Sequence, residues 1–475
     1  MSVGNSESRT MESRRISWAA AATGGRLHSG APDVLFRQVT TDSRKAGPGD
    51  LFVALRGDRF DGHDFVAEVM ARGVAGVVVR TGSATGGTGT SAVIEVADTR
   101  TALGRMAGCY RAEFGLPVVC VVGSNGKTTT KDLLSGLLGG LGPVLRSEAS
   151  FNNDIGVPMT LLGLESRHRV AVLEAGTNHP GELAPLLERI RPMVGLLTGI
   201  GREHLEHFGD LEGVAREEGS IAEALPADGV LVMNGDAPLA QAIAGRSQAP
   251  VIRFGAGVAN EWRVVSSRSG WDGEEFELSS PVPGWSGSWR VGVPGRHMAM
   301  NAVGALAVAS RLGVEPEAAR EALRGFRASR QRLETVEVGG VRLLNDCYNA
   351  NADSMLAALQ TLSDLPCAGR RVAVLGDMAE LGSASEPAHG EVGRFAVGRV
   401  DHLFAVGVRS GVTAGAAKAG GMAGVSAFPD VEALVPSLLA TVQPGDVVLV
   451  KASRSARLER VTAALVEKFG GENPA

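Results

Sequence analysis

Short apolar runs alternate along the chain with amphipathic stretches. The run Val118 to Val122 contains no polar side chain, which is typical of a strand buried on both faces. Similar runs lie at 169–174, 194–198, 371–375, 402–406 and 446–450. Amphipathic stretches such as 64–72 and the alanine-rich 301–312 predict helices between them. This alternation predicts an α/β protein with mostly parallel sheets covered by helices.

One region departs from this alternation. Residues 261–293 repeat with a period of two around four tryptophans, which predicts a small antiparallel set of hairpins.

The apolar run at 118–122 breaks into a glycine-framed loop, after which we predict a helix from about Thr129. The loop reads Gly123, Ser124, Asn125, Gly126, Lys127, Thr128 and Thr129. Free backbone N–H groups at a helix N-terminus suit a phosphate, Lys127 would reach the outer phosphates, and Thr128 would offer a hydroxyl to Mg²⁺. The first glycine of the general phosphate-loop pattern is replaced by Val121. The strand–loop–helix order still predicts an ATP site.

The length of 475 residues exceeds what one core organises, and Phe114 to Pro117 interrupts the pattern of elements. We therefore predict a disordered tail and three domains. They are a tail at 1–15, a small α/β domain at 16–115, a central phosphate-loop ATPase domain at 116–326 and a Rossmann-like α/β domain at 327–475.

Composition limits the function classes. The net charge is −5, aromatic residues make up 4% of the chain, and there is no long basic run, so nucleic acid is an unfavoured partner. The sequence contains no run of about 18 apolar residues, so it predicts no membrane span. The four cysteines form no C-x-x-C pair, which favours reduced thiols and a cytoplasmic protein.

Further polar residues follow predicted strands or lie in loops. Glu174 ends a strand and could hold Mg²⁺, or it could cap a helix. His204 could face a magnesium–phosphate site or lie on the surface, and its spacing to His207 gives little support for zinc. Ser43 and Arg44 could bind a diphosphate or form a solvated turn.

Four motifs together resemble the ATP-dependent Mur ligases of peptidoglycan synthesis, over essentially the whole chain after the tail. The motifs lie at 152–158 (NNDIGVP), 174–182 (EAGTNHPGE), 346–351 (DCYNAN) and 375–382 (LGDMAELG). Within the family, the chain resembles the members that join D-alanyl-D-alanine to UDP-N-acetylmuramoyl-tripeptide. The alternative is a sister ligase that adds diaminopimelate or lysine, but the D-N-P-R element usual for diaminopimelate is missing.

The resemblance implies roles for individual residues. Ser43 and Arg44 would lie near the uridine diphosphate. The loop 123–129, Asn301, Arg332 and Asp346 would bind ATP, and Thr128, Glu174 and His204 would serve Mg²⁺. The remaining substrate contacts would come from Asn152, Asn153, Asn349, Lys451, Ser453 and Arg454. The resemblance also implies catalytic roles for Lys127, His204 and Arg332, and a monomer is expected.

One position departs from the family pattern. Many Mur ligases carry a carbamylated lysine fourteen residues after the histidine, and here Glu218 stands at that place. Our hypothesis is that Glu218 supplies the missing carboxylate to the metal site, directly or through water. Two other readings stay open: a folylpolyglutamate-type synthase, which the first-domain pattern disfavours, and a non-catalytic nucleotide-binding protein.

Overall fold

The computed structural model describes residues 10–57, 59–83 and 90–470. Three helix-covered sheets follow one another along the chain, which confirms the predicted three-domain α/β fold. Across the described ranges, no helix has both the length and the apolar character needed to cross a bilayer.

The first sheet is a small, mostly parallel one with the strand order β2-β7-β6-β5-β4, in which only β2 runs antiparallel to its neighbour. Its elements are β1 (Arg14–Arg15), α1 (Ile16–Thr23), β2 (Arg26–Ser29), β3 (Leu35–Phe36), β4 (Gln38–Thr40), β5 (Asp50–Val53), α2 (Val66–Ala71), β6 (Gly76–Arg80), β7 (Ala92–Val96) and α3 (Thr99–Arg111). The strands β1 and β3 form a separate antiparallel pair.

The predicted disordered tail needs a correction at its end. Residues 1–9 lie outside the described part, but residues 10–15 are held by the first domain. Met11 is buried, and its N–H donates to the Arg37 carbonyl over 2.8 Å. The Glu12 N–H donates to the Tyr110 hydroxyl over 2.8 Å. An apolar side chain and backbone bonds thus order a segment whose polar composition suggested disorder.

The second sheet has nine strands in the order β16-β15-β14-β13-β12-β11-β8-β10-β9. Its elements are β8 (Val118–Val122), α4 (Lys127–Leu138), β9 (Val144–Arg146), α5 (Gly156–Leu161), β10 (Val170–Glu174), α6 (Leu183–Ile190), β11 (Val194–Leu197), α7 (Leu205–Phe208), α8 (Leu211–Glu218), α9 (Ser220–Ala224), β12 (Val230–Asn234), α10 (Ala240–Ala244), β13 (Val251–Gly255), β14 (Trp262–Gly270), β15 (Gly273–Ser279), β16 (Gly287–Val291), α11 (Arg296–Arg311) and α12 (Pro316–Gly325). The strands β14, β15 and β16 are antiparallel, which confirms the predicted hairpin set.

The central strand β8 shows why its sequence is wholly apolar. Val119 and Val121 pack in one core cluster with side chains of α4 and α11, such as Leu133 and Leu306. Cys120 and its other neighbours pack into a second cluster on the opposite face. Helices therefore cover both faces of the strand, and no position along it meets water.

The third sheet has the order β17-β18-β22-β19-β20-β21, and only β17 is antiparallel. Its elements are β17 (Glu334–Val338), β18 (Val341–Asp346), α13 (Ala352–Asp364), β19 (Arg371–Leu375), α14 (Ser385–Ala396), β20 (His402–Val406), α15 (Ser410–Ala419), β21 (Val425–Phe428), α16 (Val431–Thr441), β22 (Val447–Lys451) and α17 (Glu459–Gly470). The described chain ends with α17.

The topology of the second sheet fixes the place of a site. The chain leaves β8 with β10 on one side and β11 on the other. At such a switch point, the loops that leave the carboxyl ends of neighbouring strands diverge and open a crevice. The loop 123–126 lies at this point.

Candidate active site

A cavity of about 580 Å³ lies where the second and third domains face each other. Most of the residues predicted to form a site line it together. They are Ser124, Asn125, Gly126, Lys127, Thr128, Thr129, Asn152, Asn153, Glu174, His204, Asn301, Arg332, Asp346, Asn349 and Lys451. The fold thus gathers side chains from distant parts of the chain into one polar cavity.

The loop between β8 and α4 is tight because of two glycines in left-handed or related conformations. Gly123 has φ 116° and Gly126 has φ 82°. A Cβ atom on Gly126 would lie 2.5 Å from the Asn301 Oδ1 atom, so no other side chain fits without a shift. With Gly126 as its N-cap, α4 begins at Lys127, two residues before the predicted start. The backbone N–H groups in the first turn of α4 have no partner within the helix. They lie at the edge of the cavity, where they could bind a phosphate.

A buried carboxylate stands next to this loop. Glu174 ends β10 and is 1% exposed. Its Oε2 atom accepts a hydrogen bond from the Thr128 hydroxyl over 2.8 Å, and its Oε1 atom accepts one from the Asn152 amide over 2.8 Å. The Glu174 N–H donates to the Ser147 hydroxyl over 3.2 Å. Hydrogen bonds thus hold both carboxylate oxygens in place, and Oε2 lies beside the Thr128 hydroxyl.

Lys127 is folded back over its own loop. Its ammonium group donates to the Gly123 carbonyl and lies 3.4 Å from the Glu203 Oε2 atom. Burial lowers the pKa of the lysine, but the carboxylates of Glu203, Glu218 and Glu174 outweigh that effect and raise it. Burial also raises the pKa of Glu203, with Lys127 opposing that shift. The lysine therefore stays charged in the cavity.

Glu218 lies beneath the loop and not in the lining of the cavity. It is 2% exposed, and its Oε2 atom accepts the Gly123 N–H over 2.6 Å. Burial raises the pKa of its carboxyl. The carboxylate thus binds the loop backbone, and the hypothesis that it serves the metal site, directly or through water, stays a prediction.

The third domain contributes a charged pair on the opposite wall. The Lys451 ammonium at the end of β22 lies 2.6 Å from the Asp346 Oδ2 atom at the end of β18, and it also donates to the Asn349 carbonyl over 3.1 Å. Arg332 stacks its guanidinium over the Tyr348 ring at 4.2 Å from the ring centroid. The Tyr348 hydroxyl is hydrogen-bonded to Ser150 of the second domain.

His204 joins the two domains at the rim of the cavity. It has φ 48°, and its Nδ1 atom is hydrogen-bonded to the carboxylate of Glu380. Burial lowers the pKa of His204, although Glu380 partly offsets this effect. A strained backbone at such a place is common in functional sites.

Another histidine, His297, lines the cavity at the start of α11, near Asn301. Burial lowers the pKa of His297 to about 4. The ring is therefore neutral at physiological pH and can take part in hydrogen bonds or stacking without charge.

Besides Gly123 and Glu218, four predicted residues lie outside the lining of this cavity. Ser43 and Arg44 are in the first domain, where Arg44 is exposed and donates to Asp42 over 2.8 Å through both Nε and Nη2. Ser453 is buried, and its hydroxyl donates to the Ala350 carbonyl over 3.2 Å and accepts from the Ala379 N–H over 2.9 Å. Arg454 lines a neighbouring cavity of about 640 Å³.

Sequence reasoning missed Glu203, Tyr348 and His297 as site residues. Glu203 directly precedes His204, and Tyr348 lies inside the motif at 346–351. The predicted site residues beside Glu203 and Tyr348 in the sequence could therefore have pointed to these two residues. The pairing of Glu203 with Lys127 was not readable, because the two residues are 76 positions apart.

The donor set fits Mg²⁺ better than a transition metal. The described residues contain no group of three or more His, Cys, Asp or Glu side chains that could hold a metal ion. Mg²⁺ in nucleotide sites uses one or two carboxylates with phosphate and water oxygens, so Glu174 beside the Thr128 hydroxyl is sufficient protein ligation.

A phosphate loop at a sheet switch point, closed by a second α/β domain, defines a nucleotide-binding enzyme class. Three family models match the chain: "Mur ligase family, catalytic domain" at 36–111, "Mur ligase middle domain" at 121–309 and "Mur ligase, glutamate ligase domain" at 331–454. The chain belongs to the Mur ligase family, and it is an ATP-dependent, amide-bond-forming ligase that uses Mg²⁺.

Relatives whose names state an activity match nearly the whole chain. The UDP-N-acetylmuramoyl-tripeptide–D-alanyl-D-alanine ligase of Escherichia coli K12 is 38% identical over 450 residues, covering 92% of this chain and 95% of the relative. The ligase of the same name from Bacillus subtilis 168 is 35% identical over 432 residues, covering 90% and 93%.

Solved structures show the same fold. A crystal structure of MurF from Acinetobacter baumannii has a TM-score of 0.88 and 32% identity, covering 96% of this chain and 99% of that chain. The MurF ligase from Thermotoga maritima in complex with ADP has a TM-score of 0.80 and 26% identity, covering 91% and 97%.

Proposed function

We propose that the protein joins D-alanyl-D-alanine to UDP-N-acetylmuramoyl-tripeptide with hydrolysis of ATP to ADP and phosphate, for peptidoglycan synthesis. The observation that carries this proposal is the pairing of the phosphate loop and Glu174 with the Asp346–Lys451 wall around one cavity. The relatives that carry this activity in their names match over at least 90% of this chain.

The reaction needs activation of a carboxylate, which is a poor acyl donor. A carboxylate oxygen of the tripeptide attacks the γ-phosphorus of ATP, ADP leaves, and an acyl phosphate forms. The amine of D-alanyl-D-alanine then attacks the acyl carbon. The tetrahedral intermediate loses a proton and expels phosphate, which leaves the amide.

The first step joins two anions, so positive charge must be placed at the phosphates. We propose that the Lys127 ammonium leaves the Gly123 carbonyl to bind the outer phosphates, with Arg332 from the opposite side. Mg²⁺, held by Thr128 and Glu174 with His204 at the rim, would neutralise phosphate charge. The N–H groups of residues 125–129 would hold the phosphate oxygens, because those of Gly123 and Ser124 donate to Glu218 and to the Gly199 carbonyl.

We assign nucleoside contacts to Asn301 and Asp346, which both line the cavity. Asn152, Asn153, Asn349 and Lys451 would contact the reacting substrates, because they line the same cavity. Ser453 would support this wall from within, and Arg454 would contact substrate from the neighbouring cavity. Ser43 and Arg44 would bind the uridine diphosphate in the first domain.

Glu218 has a different proposed role from that of a metal ligand. Its carboxylate holds the Gly123 N–H, and its negative charge raises the pKa of Lys127. We propose that it replaces the electrostatic effect of a carbamate from beneath the loop, so that no carbon dioxide adduct is needed.

We also propose the domain division 16–115, 116–326 and 327–475, which follows the three sheets. The site of action would be the cytoplasm, where ATP and nucleotide-linked precursors are available, and the protein would act as a monomer.

Phosphate release by the purified protein tests the function. ATP and UDP-N-acetylmuramoyl-tripeptide would be combined with D-alanyl-D-alanine, diaminopimelate, lysine or glutamate in parallel. We expect phosphate release only with D-alanyl-D-alanine. Release with a dipeptide nucleotide and diaminopimelate or lysine would move the protein to the sister activity, and ATP binding without release for any pair would contradict an enzyme function.

A further inference from the structure

Three consecutive residues in the loop after β11 reach three different partners. Arg202 contacts the third domain, Glu203 contacts Lys127 of the phosphate loop, and His204 contacts Glu380 of the third domain. The segment 202–204 therefore connects the phosphate loop mechanically to the third domain.

The Arg202 contacts are the most extensive of the three. Its backbone N–H donates to the Asp353 Oδ2 atom over 2.7 Å, and its Nε and Nη2 atoms donate to the Asp353 Oδ1 atom over 2.9 and 2.6 Å. Its Nη1 atom donates to the Glu391 Oε2 atom over 2.6 Å. The arginine side chain is 29% exposed, so water screens these ion pairs only in part.

The two carboxylates belong to the elements that carry the third-domain wall of the cavity. Asp353 lies in the first turn of α13, directly after the segment 346–351. Asn351 caps this helix and also donates from its Nδ2 atom to the Asn125 Oδ1 atom of the phosphate loop over 3.0 Å. Glu391 lies on α14, the helix that follows Glu380.

The approach of the two domains here depends on a small residue. A Cβ atom on Gly201 would lie 2.8 Å from the Asp353 Oδ2 atom, so the glycine lets the carboxylate reach the Arg202 N–H. The backbone N–H and the guanidinium of Arg202 then bind the same carboxylate. This fixes both the orientation of α13 and its distance from the segment 202–204.

We propose that Arg202 is a positioning residue that clamps the third domain onto the phosphate loop, so that Lys127 and the Asp346–Lys451 pair face the same reacting atoms. Because the clamp acts on domain closure, it is independent of which amine the enzyme joins. Loss of the clamp should lower turnover more than ADP affinity, since the phosphate loop and Asn301 lie in the second domain, and of the proposed nucleotide contacts only Arg332 and Asp346 come from the third domain.

The test compares Arg202→Ala, Arg202→Lys and Asp353→Asn with the unchanged protein. The measurements are kcat, the KM for ATP, the Kd for ADP by calorimetry and the radius of gyration by X-ray scattering. Arg268→Ala is the matched control, because Arg268 is 82% exposed and its ion pair with Glu275 over 2.6 Å lies within the β14–β15 hairpin of the second domain.

We expect Arg202→Ala to lower kcat by about tenfold or more and to raise the radius of gyration, while the Kd for ADP changes by less than about threefold. Arg202→Lys should retain only part of kcat. The lysine keeps the positive charge but cannot bind the carboxylate in the bidentate geometry of a guanidinium group. The double variant with Asp353→Asn should lose less than the product of the single losses. The Arg268→Ala control should match the unchanged protein.

An unchanged kcat in Arg202→Ala would overturn the proposal. Equal losses of kcat and ADP affinity would also overturn it, because they would show damage to the phosphate loop itself. If Arg202→Ala does not fold, Arg202→Lys and Asp353→Asn decide: normal kcat and a normal radius of gyration in both would contradict a clamp.

Discussion

Gly126→Ala is the substitution whose effect the structure predicts in most detail. Gly126 has φ 82°, which costs an alanine about 1–2 kcal/mol. The new Cβ atom would also lie 2.5 Å from the Asn301 Oδ1 atom, so the asparagine side chain must move. Together we expect about 2 kcal/mol of strain in the conformation that binds phosphate.

A loop under this strain relaxes when it is empty, and the bound nucleotide must restore it. The Kd for ADP with Mg²⁺ should therefore rise about 30-fold, which corresponds to about 2 kcal/mol. Calorimetry measures this Kd directly. In a protein that already carries Asn301→Ala, adding Gly126→Ala should raise the Kd by a smaller factor than in the unchanged protein, because the steric conflict is then removed while the strain at φ remains.

Gly136→Ala is the matched control in the same helix. Gly136 is exposed in α4, and a Cβ atom there would meet no atom within 4 Å. The control should bind ADP normally and raise stability slightly, by about 0.5–1 kcal/mol. A Kd for Gly126→Ala within about threefold of the unchanged protein would show that the loop binds phosphate without a glycine at this position.

Three further predictions concern charge in the cavity. Glu174→Gln should lower kcat/KM by about 100-fold and shift activity to higher Mg²⁺ concentration, because a neutral amide replaces the carboxylate beside Thr128; an unchanged Mg²⁺ dependence would contradict this. Activity should not depend on carbon dioxide, since Glu218 needs no adduct, and a loss on its removal that bicarbonate restores would count against that role. The His297 ring should titrate near pH 4 by NMR, with the signal assigned through His297→Gln. Because the unfolded chain takes up that proton near pH 6.5 and the folded chain does not, stability should fall as pH drops from 6.5 to 4, and less so in His297→Gln; titration near pH 6.5 would refute this.

The sequence predicted the central strands well, because burial on both faces leaves a continuous apolar run such as Val118–Val122. It placed two helix starts too late. Gly126 and Gly295 act as N-caps with positive φ, so α4 and α11 begin directly after them. Short edge strands such as Val144–Arg146 were missed, because three residues with one exposed face carry little pattern.

The candidate site was predictable as residue types but not as contacts. Side chains that end strands, such as Glu174 and Asp346, could be placed at the carboxyl edge of a sheet. The orientation of the Glu218 side chain could not be predicted, because only the fold shows that its carboxylate accepts a hydrogen bond from the Gly123 N–H. The Arg202–Asp353 contact crosses between domains over 151 positions, a distance at which sequence spacing carries no geometry.

In the proposed reaction, a tripeptide carboxylate becomes an acyl phosphate in this cavity. This step is tested most directly with UDP-N-acetylmuramoyl-tripeptide labelled with ¹⁸O in the reacting carboxylate, together with ATP, Mg²⁺ and D-alanyl-D-alanine. Mass spectrometry would follow both the amide product and the released phosphate. We predict an amide product and one ¹⁸O atom in each phosphate, because the carboxylate oxygen leaves with the phosphoryl group. Amide formation with unlabelled phosphate, or labelled substrate left intact while ATP is consumed, would contradict the account.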